Sequence, residues 1–162
     1  MNKLCQRLAA LAAVGLLASC GITGSRGNGD DNYFSAFITF PHQKWDYAAP
    51  AVLSVDTLHD SEARGGTLML SVRHTDAYEY SNLWLELAYP DTDTTVRRDT
   101  INLVLADVYG RWRGHGSGPS MQIVDTLSTD FTIHQGDTLI LRHIMRVDTL
   151  ANIEQIGLVF YP

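Results

Sequence analysis

The sequence contains very little cysteine. Only Cys5 and Cys20 occur among its 162 residues, and both lie in an N-terminal segment. If Cys5 leaves with a leader and Cys20 is modified, no disulfide can form within a monomer, so the fold must be stabilised by packing. Long hydrophobic runs are also absent. The apolar residues 8–17 fall far short of the roughly 20 residues that a membrane-spanning helix needs.

Patterns of catalytic and metal-binding residues are absent as well. The histidines form neither a close pair nor the HExxH spacing of a zinc site, and there is no G-x-S-x-G elbow. Aspartate and glutamate are plentiful, but nothing singles out a glycosidase pair. The sequence therefore predicts no enzyme activity, no cofactor and no metal ion. The six histidines are His42, His59, His74, His115, His134 and His143.

The balance of charge argues against a further class of function. The chain carries 12 basic and 18 acidic residues, a formal net charge of −6. It becomes more acidic if Lys3 and Arg7 leave with a leader. Nucleic-acid binding requires a concentrated basic surface, and electrostatic docking onto anionic lipid also requires positive charge. We therefore expect neither of these modes of binding.

The N-terminus has the anatomy of a secretory signal. Basic residues precede the apolar run 8–17, and small residues follow in Leu17-Ala18-Ser19-Cys20. A cysteine directly after small residues resembles the bacterial lipobox, in which the chain is cut before the cysteine and the cysteine is acylated. We therefore expect a signal peptide at residues 1–19, lipidation at Cys20 and a membrane anchor made of N-terminal acyl chains. The alternative is an ordinary secretion signal with a chance cysteine.

A glycine-rich segment follows the predicted lipid site. Residues 20–32 (CGITGSRGNGDDN) show no apolar periodicity, which is typical of a flexible tether. A coil of this length spans roughly 20 Å on average, so the domain should lie close to its membrane. The remaining residues, 33–162, suffice for one domain with a core of its own.

The apolar residues of this domain recur with a period of two, and no stretch shows a convincing amphipathic helix. Each alternating segment predicts a strand with one buried face. The fold class is therefore all-β, and we favour an antiparallel β-sandwich, jelly-roll-like or Ig-like, over a barrel. Turns are expected at Arg64-Gly65-Gly66 and Tyr89-Pro90-Asp91. About eight strands are predicted, at residues 35–40, 52–58, 68–73, 83–88, 100–105, 121–127, 138–146 and 156–161.

The alternation also assigns individual side chains. Leu83, Leu85 and Leu87 should face the core, with Trp84 on the opposite face. Trp45 is expected in the core. His143 shares a strand face with buried leucines, so we expect a buried histidine whose ring nitrogens are hydrogen-bonded.

Two aromatic segments are candidates for binding a partner. The first contains Tyr78, Tyr80 and Trp84. In the second, Arg111, Trp112 and Arg113 lie among glycines, a composition that suits a desolvated aromatic anchor surrounded by charge. The alternative is structural, with Trp84 and Trp112 closing the ends of the sandwich beneath loops.

The order of these motifs behind a lipobox resembles the GldH family of gliding-motility lipoproteins from Bacteroidota, over nearly all of the mature chain. Asn152 stands where the family pattern leads us to expect glycine. The resemblance implies an envelope lipoprotein of the gliding machinery, with no known enzymatic activity and no catalytic residues to transfer. The motifs are Tyr78-x-Tyr80-x-Asn82-Leu83-Trp84, Asp99-Thr100-Ile101-Asn102-Leu103-x-Leu105-Ala106, Gly110-x-Trp112-x-Gly114-x-Gly116 and His143-x-Met145-Arg146-x₃-Leu150-x₂-Ile153-x₂-Ile156-Gly157.

Together these observations predict a non-enzymatic, lipid-anchored component of the gliding machinery at the outer membrane of the cell envelope. Its partners would be the membrane, through the acyl chains, and other envelope proteins. The alternative function is a surface lipoprotein whose sandwich binds polysaccharide, with exposed tryptophans as stacking platforms for sugar rings.

Overall fold

The alternating segments form β-strands throughout the described part of the chain. The computed structural model describes residues 33–56, 58, 63–92 and 95–162, where it has eleven strands, a short 3₁₀ turn at Pro41–Gln43 and no α-helix. The predicted signal peptide, Cys20 and the tether lie outside the described residues. The strands are β1 (Phe34–Thr39), β2 (Lys44–Asp46), β3 (Ala51–Ser54), β4 (Arg64–Thr75), β5 (Asn82–Thr92), β6 (Thr95–Val104), β7 (His115–Ser117), β8 (Ser120–Ile133), β9 (Thr138–His143), β10 (Thr149–Ala151) and β11 (Ile153–Tyr161).

The strands form two principal antiparallel sheets. One has the order β1-β11-β4-β8-β7 and the other the order β3-β9-β5-β6, while β2 and β10 make a separate pair. Apart from the short edge strand β7, each sheet places early strands of the chain beside late ones, as in β1-β11-β4-β8 and β3-β9-β5, and most connections cross from one sheet to the other. This is the order of a jelly roll. In an Ig-like sandwich the first two strands would instead share a sheet.

The core lies between the two sheets, and it contains the side chains that alternation assigned to it. Each leucine at positions 83, 85 and 87 is almost fully buried, and so is Trp45, whose indole Nε1 donates to the carbonyl oxygen of Ala49 at 3.0 Å. Strands β4 and β11 pair in antiparallel register, with Leu68 opposite Phe160, Leu70 opposite Leu158 and Val72 opposite Ile156. The predicted β-sandwich is therefore confirmed.

The sequence missed three strands, because each has only three residues and is too short to show an alternation. These are β2, β7 and β10. Two predicted strands are also too long. The strand predicted at residues 52–58 ends at Ser54, because Val55 exchanges backbone hydrogen bonds with the turn of residues 136–137 (2.7 and 2.9 Å). The strand predicted at residues 138–146 ends at His143.

Both predicted turns are wrong, since the residues lie within strands. Arg64-Gly65-Gly66 begins β4. At Gly66 the absence of a side chain permits the close approach of β11, because a Cβ there would lie 2.7 Å from the Phe160 ring. Tyr89-Pro90-Asp91 lies in β5, where an irregularity in the pairing with β6 after Pro90 accommodates the proline.

The sandwich has two distinct ends. The chain enters at Tyr33 at the end that we call the near end, where Phe34 pairs with Phe160 and Phe160 with Leu68. From Leu68, β4 runs roughly 25 Å to Thr75 at the opposite end, at the usual strand rise. This far end carries the loops of residues 76–81, 105–114 and 144–148.

Candidate functional site

Three of the predicted partner-binding residues come together at the far end. Tyr78, Tyr80 and Trp112 form an aromatic cluster with His74 of β4. The ring centroid of His74 lies 4.7 Å from that of Trp112, nearly edge-on, and 5.6 Å from that of Tyr78. Tyr78 in turn contacts Tyr80 at 5.6 Å and Trp112 at 6.4 Å. We call these four residues the far-end cluster.

The interior of the far-end cluster is held by hydrogen bonds to backbone. His74 is fully buried, and its Nδ1 lies 2.8 Å from the carbonyl oxygen of Thr75, to which it donates. Burial lowers the pKa of His74. The Tyr78 hydroxyl donates to the carbonyl oxygen of Asn82 at 3.2 Å, and burial raises the pKa of that hydroxyl. Tyr78 is thus a packing residue with only 4% of its surface exposed.

Trp112 is a partly buried member of this cluster. The backbone around it joins the end of β6, since Ala106 and Trp112 form an isolated β-bridge and the Arg113 N–H donates to the carbonyl oxygen of Leu105 at 2.7 Å. The next residue, Gly114, has a φ of +88°, and a Cβ there would meet the backbone of Gln122. Glycine is therefore required for this segment to pass from one sheet to the other.

Residues 107–111 form a tight turn that projects beyond the cluster. The Asp107 carboxylate accepts hydrogen bonds from the N–H groups of Tyr109 and Arg111 at 2.9 and 3.0 Å, and from Nε of Arg111 at 2.8 Å. The Arg111 N–H in particular holds the pKa of Asp107 below its usual value. At the tip, Val108 and Tyr109 are 93% and 81% exposed. Sequence reasoning missed both residues, although the Asp-x-x-Gly pattern of Asp107 and Gly110 is a recognisable turn signal.

Trp84 lies on a different surface, the outer face of the four-stranded sheet. It is 40% exposed, as the alternation predicted. Its cross-strand neighbour is Asn102, whose side-chain oxygen accepts a hydrogen bond from Nδ2 of Asn82 at 2.8 Å. An exposed indole thus lies beside two amide side chains. Arg111 and Arg113 are exposed at the far end, so the six predicted residues divide between two surfaces and a buried interior.

His143 is buried as predicted, but its expected hydrogen bonding is poor. Among the described residues, neither ring nitrogen makes a well-aligned hydrogen bond, and burial lowers the pKa of the ring more than the contact with the Trp45 backbone raises it. The ring instead packs nearly perpendicular to Trp45 and Tyr47, with centroids 5.3 and 5.8 Å apart. Burial lowers the pKa of His143, so aromatic packing holds a neutral ring.

A groove of about 570 Å³ lies beside the turn, between the end of β6 and strands β7 and β8. Its lining includes Val104, Arg113, His115, Gln122, Val124 and Asp125. Within the described ranges, no group of three or more histidine, cysteine, aspartate or glutamate side chains could hold a metal ion. The same residues contain no helix that is long and apolar enough to cross a membrane.

Comparison with known proteins identifies the family. The model of the GldH lipoprotein family matches residues 32–159, which is most of the chain. The chain belongs to the GldH lipoprotein family. Membership makes it a gliding-motility-associated lipoprotein of the cell envelope, and it agrees with the lipobox and motif order of the sequence.

The other comparisons add less. A comparison with curated proteins finds no match. Among solved structures, the chain is similar to the structure of Eiger TNF from S. frugiperda, with a TM-score of 0.40 and 12% sequence identity. That alignment covers 81% of this chain and 94% of the Eiger chain.

Proposed function

We propose that this GldH lipoprotein is a non-enzymatic component of the gliding machinery, anchored in the outer membrane through acyl chains on Cys20, and that it binds other envelope proteins. Family membership supports the association with gliding. The observation that carries the binding role is the concentration of exposed aromatic and basic side chains at the far end, which is opposite the end where the chain enters the domain. These side chains include Tyr109, Arg111 and Arg113.

Their position suits a bridge between the membrane and a protein partner. The predicted tether reaches roughly 20 Å, and the sandwich adds roughly 25 Å between the level of Tyr33 and the far end. The far end would then lie several tens of ångströms from the lipid. Aromatic residues and arginine are the residue types enriched at protein interfaces.

The test is genetic and uses the full chain in its own host. Deletion of the gene should abolish spreading on agar, and the wild-type chain should restore it. A tagged full-length chain, crosslinked in living cells, should carry the same envelope proteins in repeated experiments. Normal gliding of the deletion strain, or the absence of any crosslinked protein, would contradict the proposal.

A second function, polysaccharide binding, is favoured by the surface around Trp84. An exposed indole can stack on a sugar ring, and the side chains of Asn82 and Asn102 place amide donors and acceptors next to it. Affinity electrophoresis in gels containing polysaccharide would test this function. Retardation that is lost in Trp84→Ala would support it, whereas equal mobility with and without polysaccharide would exclude it for the polysaccharides used.

A further inference from the structure

Two large hydrophobic residues at the far end, Val108 and Tyr109, lie outside the core. Val108 and Tyr109 are the most exposed of the large hydrophobic residues in the described ranges, at 93% and 81%, and the next is Val96 at 62%. Burial of these two side chains therefore contributes almost nothing to the stability of the fold. An exposed apolar side chain indicates an interaction site when the backbone around it is fixed in a conformation that keeps it in solvent.

The backbone of this turn is built in that way. Besides the three bonds to the Asp107 carboxylate, the Asp107 N–H donates to the carbonyl oxygen of Arg111 at 2.9 Å, and the Gly110 N–H donates to that of Asp107 at 3.0 Å. Gly110 has a φ of +77°, a conformation that glycine adopts readily. The Arg111 guanidinium lies 5.4 Å from the centre of the Tyr109 ring and restricts it by a cation–π contact. The tip is thus pre-organised, which lowers the entropy lost when it binds.

Charge at the turn indicates the chemistry of the surface that it would meet. The chain as a whole is acidic, but this segment carries Arg111 and Arg113 against the single carboxylate of Asp107. Arg111 neutralises Asp107 at 2.8 Å, which leaves Arg113 as the additional positive charge of the segment. A partner surface with acidic groups around an apolar centre would complement this arrangement.

We propose that Val108 and Tyr109 insert together into an apolar pocket with an acidic rim on another envelope protein. This inference rests on the proposed function and identifies the residues that would contact the partner protein. The position of the turn favours a protein over the anchoring lipid, because the turn lies at the end opposite Tyr33. In this proposal the far-end cluster has a supporting role, because it holds the base of the turn while Val108 and Tyr109 make the contact.

Site-specific photocrosslinking in living cells tests the proposal. The probe is p-benzoylphenylalanine, placed in the full-length chain at Tyr109, at Trp84 on the sheet face and at Val96 on edge strand β6. Val96 is the matched control, being another highly exposed apolar position. We expect the Tyr109 position to give a protein adduct whose mapped peptide contains apolar residues with aspartate or glutamate, and the Val96 position to give none.

Second substitutions in the Tyr109 crosslinking chain make the test specific to the turn. Val108→Asp should reduce the adduct about tenfold, as expected for loss of a central apolar anchor, whereas Val96→Asp should leave the yield unchanged. Asp107→Ala should also reduce the yield severalfold although Val108 and the crosslinking side chain at position 109 are both present, because it removes the hydrogen bonds that pre-organise the turn. Val108 and Val96 are exposed and Asp107 is partly buried, and unchanged melting temperatures would show that all three variants fold.

The remaining outcomes separate this inference from the proposed function. Adducts with lipid or with a second copy of the chain at Tyr109, or an adduct that Val108→Asp does not change, would overturn the inference. Protein adducts from Trp84 with none from Tyr109 would overturn the inference and leave the proposed function standing. The absence of protein adducts at every position would overturn both.

Discussion

At the scale of single residues, two histidines that are fully buried in the described part of the chain distinguish this core from an ordinary apolar one. His74 has one backbone hydrogen bond, at 2.8 Å, and His143 packs between Trp45 and Tyr47. Burial lowers the pKa of each. Both rings are therefore neutral in the folded protein at neutral pH, and they make its stability depend on pH.

We predict that the free energy of unfolding falls as the pH drops below about 6.5. The unfolded chain takes up protons near the ordinary histidine pKa of about 6.5, whereas the folded chain does so only at lower pH. The stabilisation is therefore complete above pH 6.5 and is lost between that value and the lowered pKa, at up to about 1.4 kcal/mol per pH unit for each histidine. Urea denaturation at pH 7.5, 6.5 and 5.5 would measure it. If NMR showed both imidazole rings of the folded protein titrating near pH 6.5, that result would contradict the lowered pKa of the two histidines.

The two tryptophans of the candidate surfaces should respond differently to truncation. Trp112→Ala should lower the free energy of unfolding by about 3 kcal/mol, because the ring packs on His74 and Tyr78. Trp84→Ala should change it by less than about 1 kcal/mol, since its side chain lies on an outer face. Thermal unfolding of both variants makes the comparison. Equal melting temperatures would mean that Trp112 does not support the far end.

At the scale of secondary structure, the register of β5 decides which side chains form the core. Its alternating residues pair with β6 on one side and β9 on the other, so β5 is an inner strand of its sheet. Each inward leucine therefore packs against both neighbouring strands and the opposite sheet. Alternation predicted this strand well because a half-buried strand must repeat every two residues.

A pair of adjacent substitutions tests this register. Leu85→Ala should cost about 2–5 kcal/mol, the range for a fully buried leucine. Glu86→Ala should cost no more than about 1 kcal/mol, because it removes only an exposed ion pair with Arg98 on the outer face. Chemical denaturation of the two variants is the measurement. A larger loss of unfolding free energy for Glu86→Ala than for Leu85→Ala would show that the inward and outward faces of β5 are the reverse of those assigned.

At the scale of the whole molecule, the jelly roll separates the end where the chain enters the domain from the proposed contact. The chain enters at Tyr33, and the aromatic cluster and the turn of residues 107–111 lie at the other end of the sandwich. The two sheets connect these ends through one hydrophobic core, which contains both Phe34 and Trp45.

The anchor itself is testable by one substitution with an internal control. Cys20→Ala should release the protein from membranes, because no other segment is predicted to hold it there. Cys5→Ala removes the other cysteine within the predicted signal peptide, and it should leave the protein anchored. Metabolic labelling with a fatty-acid analogue and fractionation of membranes distinguish the variants. Membrane association of an unlabelled Cys20→Ala chain would contradict the lipid anchor.

The sequence by itself determined the fold class, the inward faces of the long strands and the family, because these depend on local periodicity and on the order of motifs. Alternation placed Trp84 on an outer face, but only the tertiary structure decided which surfaces the other candidate residues occupy. The sequence made Tyr78 a candidate for binding and left Trp112 open between a binding surface and a structural role at the end of the sandwich, whereas the fold packs both rings on His74. Val108 and Tyr109 became conspicuous only through the Asp107 hydrogen bonds and their exposure. Burial and convergence depend on contacts between residues distant in sequence, and short-range patterns do not encode them.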